Sequence, residues 1–451
     1  MNVSLLSILA QVVSVTLKLD KSRDLQQRSH AIIPGGAHTY AKGDDQYPVE
    51  GPAFLVRGKG CHVWDVDGNE FIEYGMGLRS VTLGHAFTAV NEAAWRAMQN
   101  GINFTRPAPI EVECAEKVAS LIKSAEMVKF AKNGSDVTTA AVKLARAFTG
   151  RERVAICAEH PFFSVDDWFI GTTIINAGIP KPVRDLTVTF HYNDVGSIER
   201  LFDRYPGEIA CLVMEVERNE PPTRAFLDGV RYLSRKNGAL LILDEIITGF
   251  RWHIGGAQAV HGIEPDLSTF GKAMANGFSI AALVGSKEVM EAGGIDHDRE
   301  RVFLLSTTYG GETHCLAAAL ETMRFYEREP VIETLRCQGE RLLCGIEQLV
   351  TSHRLEGYFG VDGHPANLTY YTRDADRRPS QQFRTLLLQE IIRRGVIAPS
   401  LVVSYSHSDE DIDRTLEALD GALAVYQRAL SDGIDHYLMG RPVKPVVRRY
   451  C

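Results

Sequence analysis

The sequence predicts an α/β fold with a mostly parallel central sheet. Three apolar segments, at residues 154–157, 209–215 and 240–244, are predicted to be buried strands. Helical patterns at residues 195–205 and 225–237 separate these segments along the chain. Strands that alternate with helices are typical of βαβ units, in which helices cover both faces of a parallel sheet.

The chain is long enough to hold a second domain. Its 451 residues are about three times the length of a typical domain. After residue 331 the pattern changes to helix, strand (366–372), helix (381–394), strand (396–404) and helix (409–430), which predicts a separate α+β domain. We therefore expect an N-terminal segment with a hairpin (residues 1–74) that contributes to the small domain, a large domain (75–330) and a C-terminal α+β domain (331–451).

The N-terminal part contains a hairpin signal. Apolar and polar residues alternate on both sides of Asp67-Gly68. Such alternation around a tight-turn dipeptide predicts two short antiparallel strands.

Composition excludes several classes of function. An apolar fraction of 45% and a net charge of -8 indicate a globular protein without a nucleic-acid or membrane-surface role. Eight scattered cysteines without a CxxC pair favour reduced thiols and a cytoplasmic setting. The polar-interrupted N-terminus predicts a docking helix or an oligomer contact, and the basic, proline-broken end of the chain predicts a solvated extension.

Two strand ends carry a chemically informative pair. Asp244 ends the apolar run LLILD, and Lys272 follows a second short apolar segment between Gly271 and Ala273. Ligands of α/β folds bind at the carboxyl ends of strands. A pyridoxal phosphate enzyme requires a lysine that forms a Schiff base with the aldehyde and an acid that keeps the pyridine nitrogen protonated. Taken alone, the pair is weak evidence, because most Asp/Lys pairs on loops are ordinary surface charges.

A short loop between a strand and a helix predicts an anion site. Asn133-Gly134-Ser135-Asp136 precedes a helical pattern, and Asp136 or Ser135 can cap the helix. Gly134 allows the backbone to approach a ligand, and the free N–H groups and the helix dipole attract an anion. The alternative is a well-capped helix without a ligand.

Four motifs in order resemble the class III, fold-type I pyridoxal phosphate aminotransferases, most closely the glutamate-1-semialdehyde 2,1-aminomutase branch. They are NGSD (133–136), LDEIITGFR (243–251), PDLSTFGK (265–272) and STTYGGE (306–312). The resemblance covers nearly the whole chain. It implies a large domain with a mostly parallel central sheet and helices on both faces, and a smaller α+β domain built from the N- and C-terminal segments.

The resemblance assigns roles at the reactive end of the cofactor. It implies that Lys272 forms the Schiff base and shuttles the proton, and that Asp244 pairs with the pyridine nitrogen. Ile246 matches the branched residue that packs under the ring.

The resemblance also assigns the phosphate ligands. Gly134 and Ser135 match phosphate-binding positions, and Thr308 matches the threonine that reaches the phosphate from a neighbouring subunit. A homodimer with shared active sites is therefore expected.

Two cofactor positions depart from the family pattern. The usual Tyr-His-Gly is replaced by residues that include Phe162 and Phe163, and we expect Phe162 to stack on the ring. The alternative is that both aromatic side chains belong to the core. Asn219 is the candidate for the cofactor's phenolic oxygen, although it stands one place early.

The substrate positions differ more. Lys42 stands where the aminomutase branch has arginine, and Val402-Val403 replaces a phenylalanine-glutamate pair. Arg79 lies near the position of a family tryptophan, and a surface role for it stays open. We expect Lys42 and Arg79 to bind a polar aldehyde or keto acceptor, such as a sugar or an anionic small molecule.

The predicted function is an aminotransferase that moves an amino group from a small amino donor to a carbonyl acceptor, without a metal. Glutamate-1-semialdehyde 2,1-aminomutase is the alternative. A nicotinamide oxidoreductase would need a GxGxxG fingerprint, and residues 75–80 lack its third glycine. A scaffold that has lost catalysis is disfavoured by the intact Asp244 and Lys272.

Overall fold

The computed structural model describes residues 17–160, 162–217 and 219–450. Its strands fall into three sheets. In the described residues the strands are β1 (Leu55–Lys59), β2 (His62–Asp65), β3 (Glu70–Glu73), β4 (Met127–Ala131), β5 (Arg153–Cys157), β6 (Thr187–Phe190), β7 (Ile209–Met214), β8 (Leu240–Asp244), β9 (Leu267–Phe270), β10 (Ala281–Gly285), β11 (Phe359–Asp362), β12 (Thr369–Thr372) and β13 (Val396–Ile397).

Longer helices cover these sheets. They are α1 (Asp20–Ile32), α2 (Thr88–Met98), α3 (Pro109–Leu121), α4 (Gly134–Thr149), α5 (Val195–Arg204), α6 (Arg224–Lys236), α7 (Thr313–Arg328), α8 (Val331–Ser352), α9 (Gln381–Ile392) and α10 (Asp409–Asp432). Shorter α-helical segments are Asp167–Ile170, Lys181–Asp185, Ala257–His261 and Lys287–Met290. Single 3-10 turns are Pro34–Gly36, Tyr40–Lys42, Asp44–Gln46, Lys272–Ala275, Glu291–Gly293, Pro365–Asn367 and Ile434–His436.

The central sheet has seven strands in the order β4-β10-β9-β8-β7-β5-β6. β8 pairs in parallel with β7 and β9, whereas β10 runs antiparallel to β9 and β4. The predicted α/β class with a mostly parallel sheet is confirmed. β10 was not predicted, because three of its five residues are alanine or glycine, which are depleted in strands.

β8 explains why the sheet carries helices on both faces. Leu240 and Ile242 belong to the apolar core that contains α4, and Leu241 and Leu243 belong to the core that contains α6. Each buried leucine contributes roughly 1.5–3 kcal/mol. Because both faces of the strand are covered, its carboxyl end is held in a fixed position.

A smaller sheet joins the two ends of the chain. Its order is β1-β2-β3-β13, and β13 pairs in parallel with β3. The predicted hairpin around Asp67-Gly68 is confirmed as β2 and β3. The fold prediction of a small domain from N- and C-terminal segments is therefore confirmed. The strand predicted at 396–404 is wrong beyond Ile397, because Leu401 and Val402 donate to Leu368 and Tyr74 outside any regular ladder.

The basic end of the chain is solvent-exposed at residues 444–447 and 449–450, as predicted, but contacts fix it to the protein surface. Arg441 Nη2 donates to the Asp44 carbonyl oxygen at 2.8 Å, and Arg448 Nη2 lies 2.5 Å from Asp45 Oδ2. Val443 is 3% exposed. The acidic pair in the N-terminal loop therefore holds the tail on the protein surface.

The docking helix or oligomer contact predicted at the N-terminus falls largely on residues 1–16, outside the described residues. No helix in the described part of the chain combines the length and the apolar character needed to cross a membrane.

Candidate active site

Asp244 is the last residue of β8 and is only 3% exposed. Its Oδ1 accepts hydrogen bonds from the Ile246 N–H at 2.9 Å and the Thr269 hydroxyl at 3.0 Å. Burial raises the pKa of Asp244 to about 6, against the opposing effects of the Ile246 N–H, the Lys272 charge and Thr269. Both bonds converge on one oxygen, which fixes the direction of the other.

Lys272 follows β9 and adopts a φ of 43°, in the left-handed region that lysine seldom occupies. Its side chain reaches the cavity that Asp244 also lines. Burial lowers the pKa of Lys272 to about 8, although the charges of Asp244 and Glu215 oppose this shift. A lysine with a lowered pKa supplies the neutral amine that attacks a carbonyl carbon.

One cavity of about 690 Å³ collects most of the predicted cofactor residues. They are Gly134, Ser135, Phe162, Asp244, Ile246 and Lys272. The cavity wall also contains two polar residues that were not predicted as site residues from the sequence, Lys132 and Glu215. Lys132 forms an ion pair with Glu312, and the backbone N–H of Glu215 donates to His160 Nδ1 at 3.0 Å.

The predicted anion loop opens helix α4 at this cavity. Asn133 is the N-cap, since its side-chain oxygen accepts from the Asp136 N–H at 3.1 Å. The prediction that Asp136 or Ser135 caps the helix is therefore wrong. Ser135 Oγ instead accepts from the Val165 N–H at 3.1 Å. A Cβ on Gly134 would lie 3.4 Å from Ile246, at van der Waals distance, so the loop backbone approaches Ile246 closely.

The two neighbouring phenylalanines separate in the structure. Phe163 is 2% exposed and belongs to the core, whereas Phe162 is 53% exposed. Both line the cavity, and the Phe162 ring packs edge-on against Phe169 with centroids 5.8 Å apart. Phe162 therefore has a free ring face, as stacking on a planar ligand requires. Residue 161 lies outside the described residues.

Three predicted residues lie away from this cavity. Thr308 is exposed, and its carbonyl oxygen accepts from Asn103 Nδ2 at 3.0 Å. Asn219 is exposed and does not line the cavity. Lys42 is exposed and lines a neighbouring cavity instead.

Arg79 is also outside the cavity lining, because its side chain is directed elsewhere. Its Nε donates to Asn367 Oδ1 at 2.6 Å. Arg251, which is fully buried, donates from Nη2 to the Arg79 carbonyl oxygen at 2.5 Å and to Thr82 Oγ1 at 3.1 Å. Arg79 thus fastens the segment that follows β3 to the C-terminal part of the chain.

That segment is a left-handed turn. Met76, Leu78 and Arg79 have φ values of 42°, 57° and 73°, and Gly77 between them has 58°. A non-glycine residue in this region costs of order 1–3 kcal/mol and persists only where the surroundings hold it. Gly77 lies in the cavity wall. Residues 75–80 follow a strand of the smaller sheet and form this turn, so they do not match a GxGxxG loop that opens a helix after a strand of the parallel sheet.

Comparisons with known proteins identify the family to which the chain belongs. The family model described as class-III aminotransferase matches residues 43–423. The 3-aminobutyryl-CoA aminotransferase of Cloacimonas acidaminovorans is 31% identical over 434 residues, which are 92% of this chain and 99% of that protein. The glutamate-1-semialdehyde 2,1-aminomutase of Archaeoglobus fulgidus is 31% identical over 432 residues, 90% of this chain and 100% of that protein.

Solved structures share the fold over nearly the whole chain. The FumI protein of Sphingopyxis sp. MTA144, a structure with pyridoxal phosphate, has a TM-score of 0.83 at 29% identity and covers 91% of this chain and 97% of its own. A glutamate-1-semialdehyde aminomutase of Pseudomonas aeruginosa PAO1 has a TM-score of 0.78 at 20% identity, over 90% and 94% of the two chains.

The residues present also fit the cofactor of these proteins. A buried carboxylate, a lysine with a lowered pKa and a helix N-terminus with a glycine face one cavity, as the ring nitrogen, the aldehyde and the phosphate of pyridoxal phosphate require. The chain belongs to the class-III aminotransferase family and is a pyridoxal phosphate-dependent transaminase.

Proposed function

We propose that this enzyme moves an amino group from a small amino donor to a polar carbonyl acceptor, with Lys272 and Asp244 as its catalytic residues. The observation that carries the proposal is that both side chains line one cavity at the ends of adjacent strands. When bound, pyridoxal phosphate withdraws electrons from the substrate carbon. Lys272 Nζ holds the cofactor and moves a proton at that carbon, while Asp244 holds the proton on the ring nitrogen.

Other residues in the cavity wall orient the cofactor in this proposal. The backbone at Gly134 and the hydroxyl of Ser135 bind the phosphate, and Ile246 and Phe162 pack on opposite ring faces. Their common position in the cavity wall supports this arrangement. Asn219 stays our prediction for the phenolic oxygen, and its exposed position requires its loop to close over the cavity.

A half-reaction screen tests the function directly. Amino compounds are added one at a time to the loaded enzyme, and the absorbance change that marks pyridoxamine phosphate is recorded. Carbonyl compounds are then added to the pyridoxamine form to find the acceptor. If no amino compound converted the cofactor, the proposal that a small amino compound is the donor would be contradicted.

The aminomutase remains the second candidate, because a curated relative of that name is 31% identical. Against it, Val402 and Val403 are fully buried apolar residues where that branch has a glutamate, and Lys42 lines the neighbouring cavity. Glutamate-1-semialdehyde is supplied alone, without an amino donor. Efficient formation of 5-aminolevulinate would establish the aminomutase instead.

We also propose a homodimer in which Thr308 reaches the phosphate of the neighbouring subunit. Exposed aromatic side chains lie close in sequence to Thr308 or to Asn103, its hydrogen-bond partner: Phe303, Tyr309 and Phe104. The hydrogen bond between Asn103 and Thr308 joins the two segments that carry them. Such exposed aromatic groups are typical of a protein interface.

Mixed dimers test this sharing. Lys272→Ala and Thr308→Val subunits are each impaired alone. If Thr308 acts across the interface, one site of the mixed dimer contains both intact residues, so mixing restores activity. If Thr308 acts within its own chain, every site of the mixed dimer keeps a defect and mixing restores nothing.

Two further proposals concern the domain boundaries and the cellular location of the protein. We propose a division into residues 1–74, 75–330 and 331–451, and a cytoplasmic location without nucleic-acid or membrane partners. Unpaired cysteines, five of them buried in the described part of the chain, support a reducing compartment. Limited proteolysis that cuts near residues 75 and 330 would support the boundaries.

A further inference from the structure

A second cavity opens beside the cofactor cavity. It has a volume of about 620 Å³, and His38 and Gly77 line both spaces. The left-handed turn at Gly77 therefore lies where the two cavities meet. Where the aminomutase branch has a tryptophan near this position, glycine presents no side chain.

The walls of this second cavity are mostly apolar. They include Tyr47, Phe54, Leu55, Leu78, Ile397 and Pro399. Small-molecule pockets in proteins combine such walls with a few fixed polar groups that orient the ligand.

The fixed polar group is a hydrogen-bonded pair of side chains, Glu73 and His85. Glu73 is 7% exposed, and its Oε2 lies 3.1 Å from His85 Nε2. Both residues line the second cavity. A Cβ on Gly75 would come within 2.5 Å of Glu73 Oε1, so glycine is needed for the carboxylate to lie there. In the described residues, no side-chain hydrogen bond to Oε1 is present, which leaves this oxygen able to accept from a ligand.

The rim adds weaker polar groups. Lys42 is exposed at the edge, and Asp44 is already engaged by His30 and Arg441. The strongest acceptor that points inward is therefore the Glu73 carboxylate. A ligand with an apolar body and a hydrogen-bond donor at its far end matches this combination.

We infer that this second cavity is the subsite for the remote part of the acceptor, which is an apolar stem of several carbons that ends in a hydroxyl group. The Glu73–His85 pair lies in the wall of this subsite, and the subsite joins the cofactor cavity at Gly77. The inference rests on the proposed transaminase function. The reactive carbonyl lies beside Lys272, the stem passes Gly77, and the hydroxyl donates to Glu73.

Three aldehydes test the subsite: propanal, heptanal and 7-hydroxyheptanal. Each is added to the pyridoxamine form of the full-length enzyme in single turnovers. We expect 7-hydroxyheptanal to exceed heptanal in kcat/KM by about tenfold, because a hydrogen bond to a buried charged group is gained. In Glu73→Gln this preference falls to about twofold. An unchanged preference in Glu73→Gln would overturn the inference.

A second variant tests the volume of the cavity. Leu78 lines the second cavity and already has a positive φ, so Leu78→Trp adds bulk without new backbone strain. We expect it to lower kcat/KM for both seven-carbon aldehydes by about tenfold relative to propanal. Val56→Trp is the matched control, since Val56 is 68% exposed on β1 and lines neither cavity. Equal losses for all three aldehydes in Leu78→Trp would overturn the inference.

A binding measurement separates this inference from the proposed function. Saturation-transfer NMR of heptane-1,7-diol and heptan-1-ol is recorded on the wild type, on Glu73→Gln and on Leu78→Trp. Stronger transfer to the diol in the wild type, and its loss in both variants, supports the subsite even if no aldehyde is aminated. Equal transfer to both alcohols in all three proteins contradicts it.

Discussion

The cofactor cavity and the cavity beside it are built from different kinds of structure. Asp244 and Lys272 stand at the ends of β8 and β9, whose backbones are held by neighbouring strands. The walls of the second cavity come mainly from the loop at 33–54 and the turn at 77–78, together with Glu73 of β3, Ile397 of β13 and Arg441 of the tail. Strand ends hold reactive groups in place, whereas loops tolerate change. We call the strand ends that carry Asp244 and Lys272 the rigid part, and the loops, turn and tail around the second cavity the variable part. The rigid part holds the cofactor chemistry, and the variable part determines the choice of substrate.

The largest expected effect comes from Lys272→Ala, which removes the group on which the rigid part depends. We expect turnover to fall by about 10⁴-fold or more, because both the covalent hold on the cofactor and the proton carrier are lost. Thermal unfolding of the cofactor-free variant should stay near that of the wild type. Full residual turnover would show that another amine carries the reaction.

Asp244→Asn should have the next largest effect. An amide cannot hold a proton on the ring nitrogen, so we expect kcat to fall by about 10²- to 10³-fold while the protein still binds the cofactor. The Ile246 N–H and the Thr269 hydroxyl can still donate to the amide oxygen, which preserves the local geometry. Turnover close to that of the wild type would exclude Asp244 as the partner of the ring.

A smaller effect is expected in the pH dependence of the free energy of unfolding, to which Lys272 contributes. The pKa of Lys272 is about 8 in the folded protein, against 10.5 as its ordinary value. Between these values the unfolded chain binds a proton that the folded protein has lost, so this group makes folding more favourable as the pH rises. The free energy of unfolding of the cofactor-free wild type, relative to Lys272→Met, should therefore rise from pH 8 to pH 10.5. A constant difference would contradict the lowered pKa.

Lys42→Ala should have the smallest effect, because it changes an exposed residue on the variable part. An exposed charge contributes about 0.2–1 kcal/mol, so we expect KM for an anionic acceptor to rise by at most about fivefold. Cofactor affinity should stay unchanged. Lys59→Ala is the matched control, since Lys59 is also exposed but lines neither cavity.

The rigid part could be predicted from the sequence because its signals are local. The run that ends in Asp244 is continuous and apolar, and the loop at Gly134 stands directly before a helix. Their meeting in one cavity follows from the parallel sheet. The local patterns did not, however, distinguish Asn133 from its neighbours as the cap, because all of them can accept a hydrogen bond.

The variable part could not be predicted in the same way. Arg79 faces Asn367 across 288 positions of sequence, and the left-handed turn that directs it is held by the distant Arg251. The contact between Arg448 and Asp45 spans almost the entire chain. Such pairings depend on the assembled tertiary structure, and no periodic pattern or turn signal reports them.

The docking of the tail has a consequence for how the protein is made. Arg441 is synthesised 397 residues after Asp44, and Arg448 is synthesised 403 residues after Asp45. Arg441 also lines the second cavity. The residues of the cofactor cavity are therefore all synthesised well before the rim on the acceptor side is completed by Arg441. A premature stop before Arg441 would alter substrate choice before it affected cofactor chemistry.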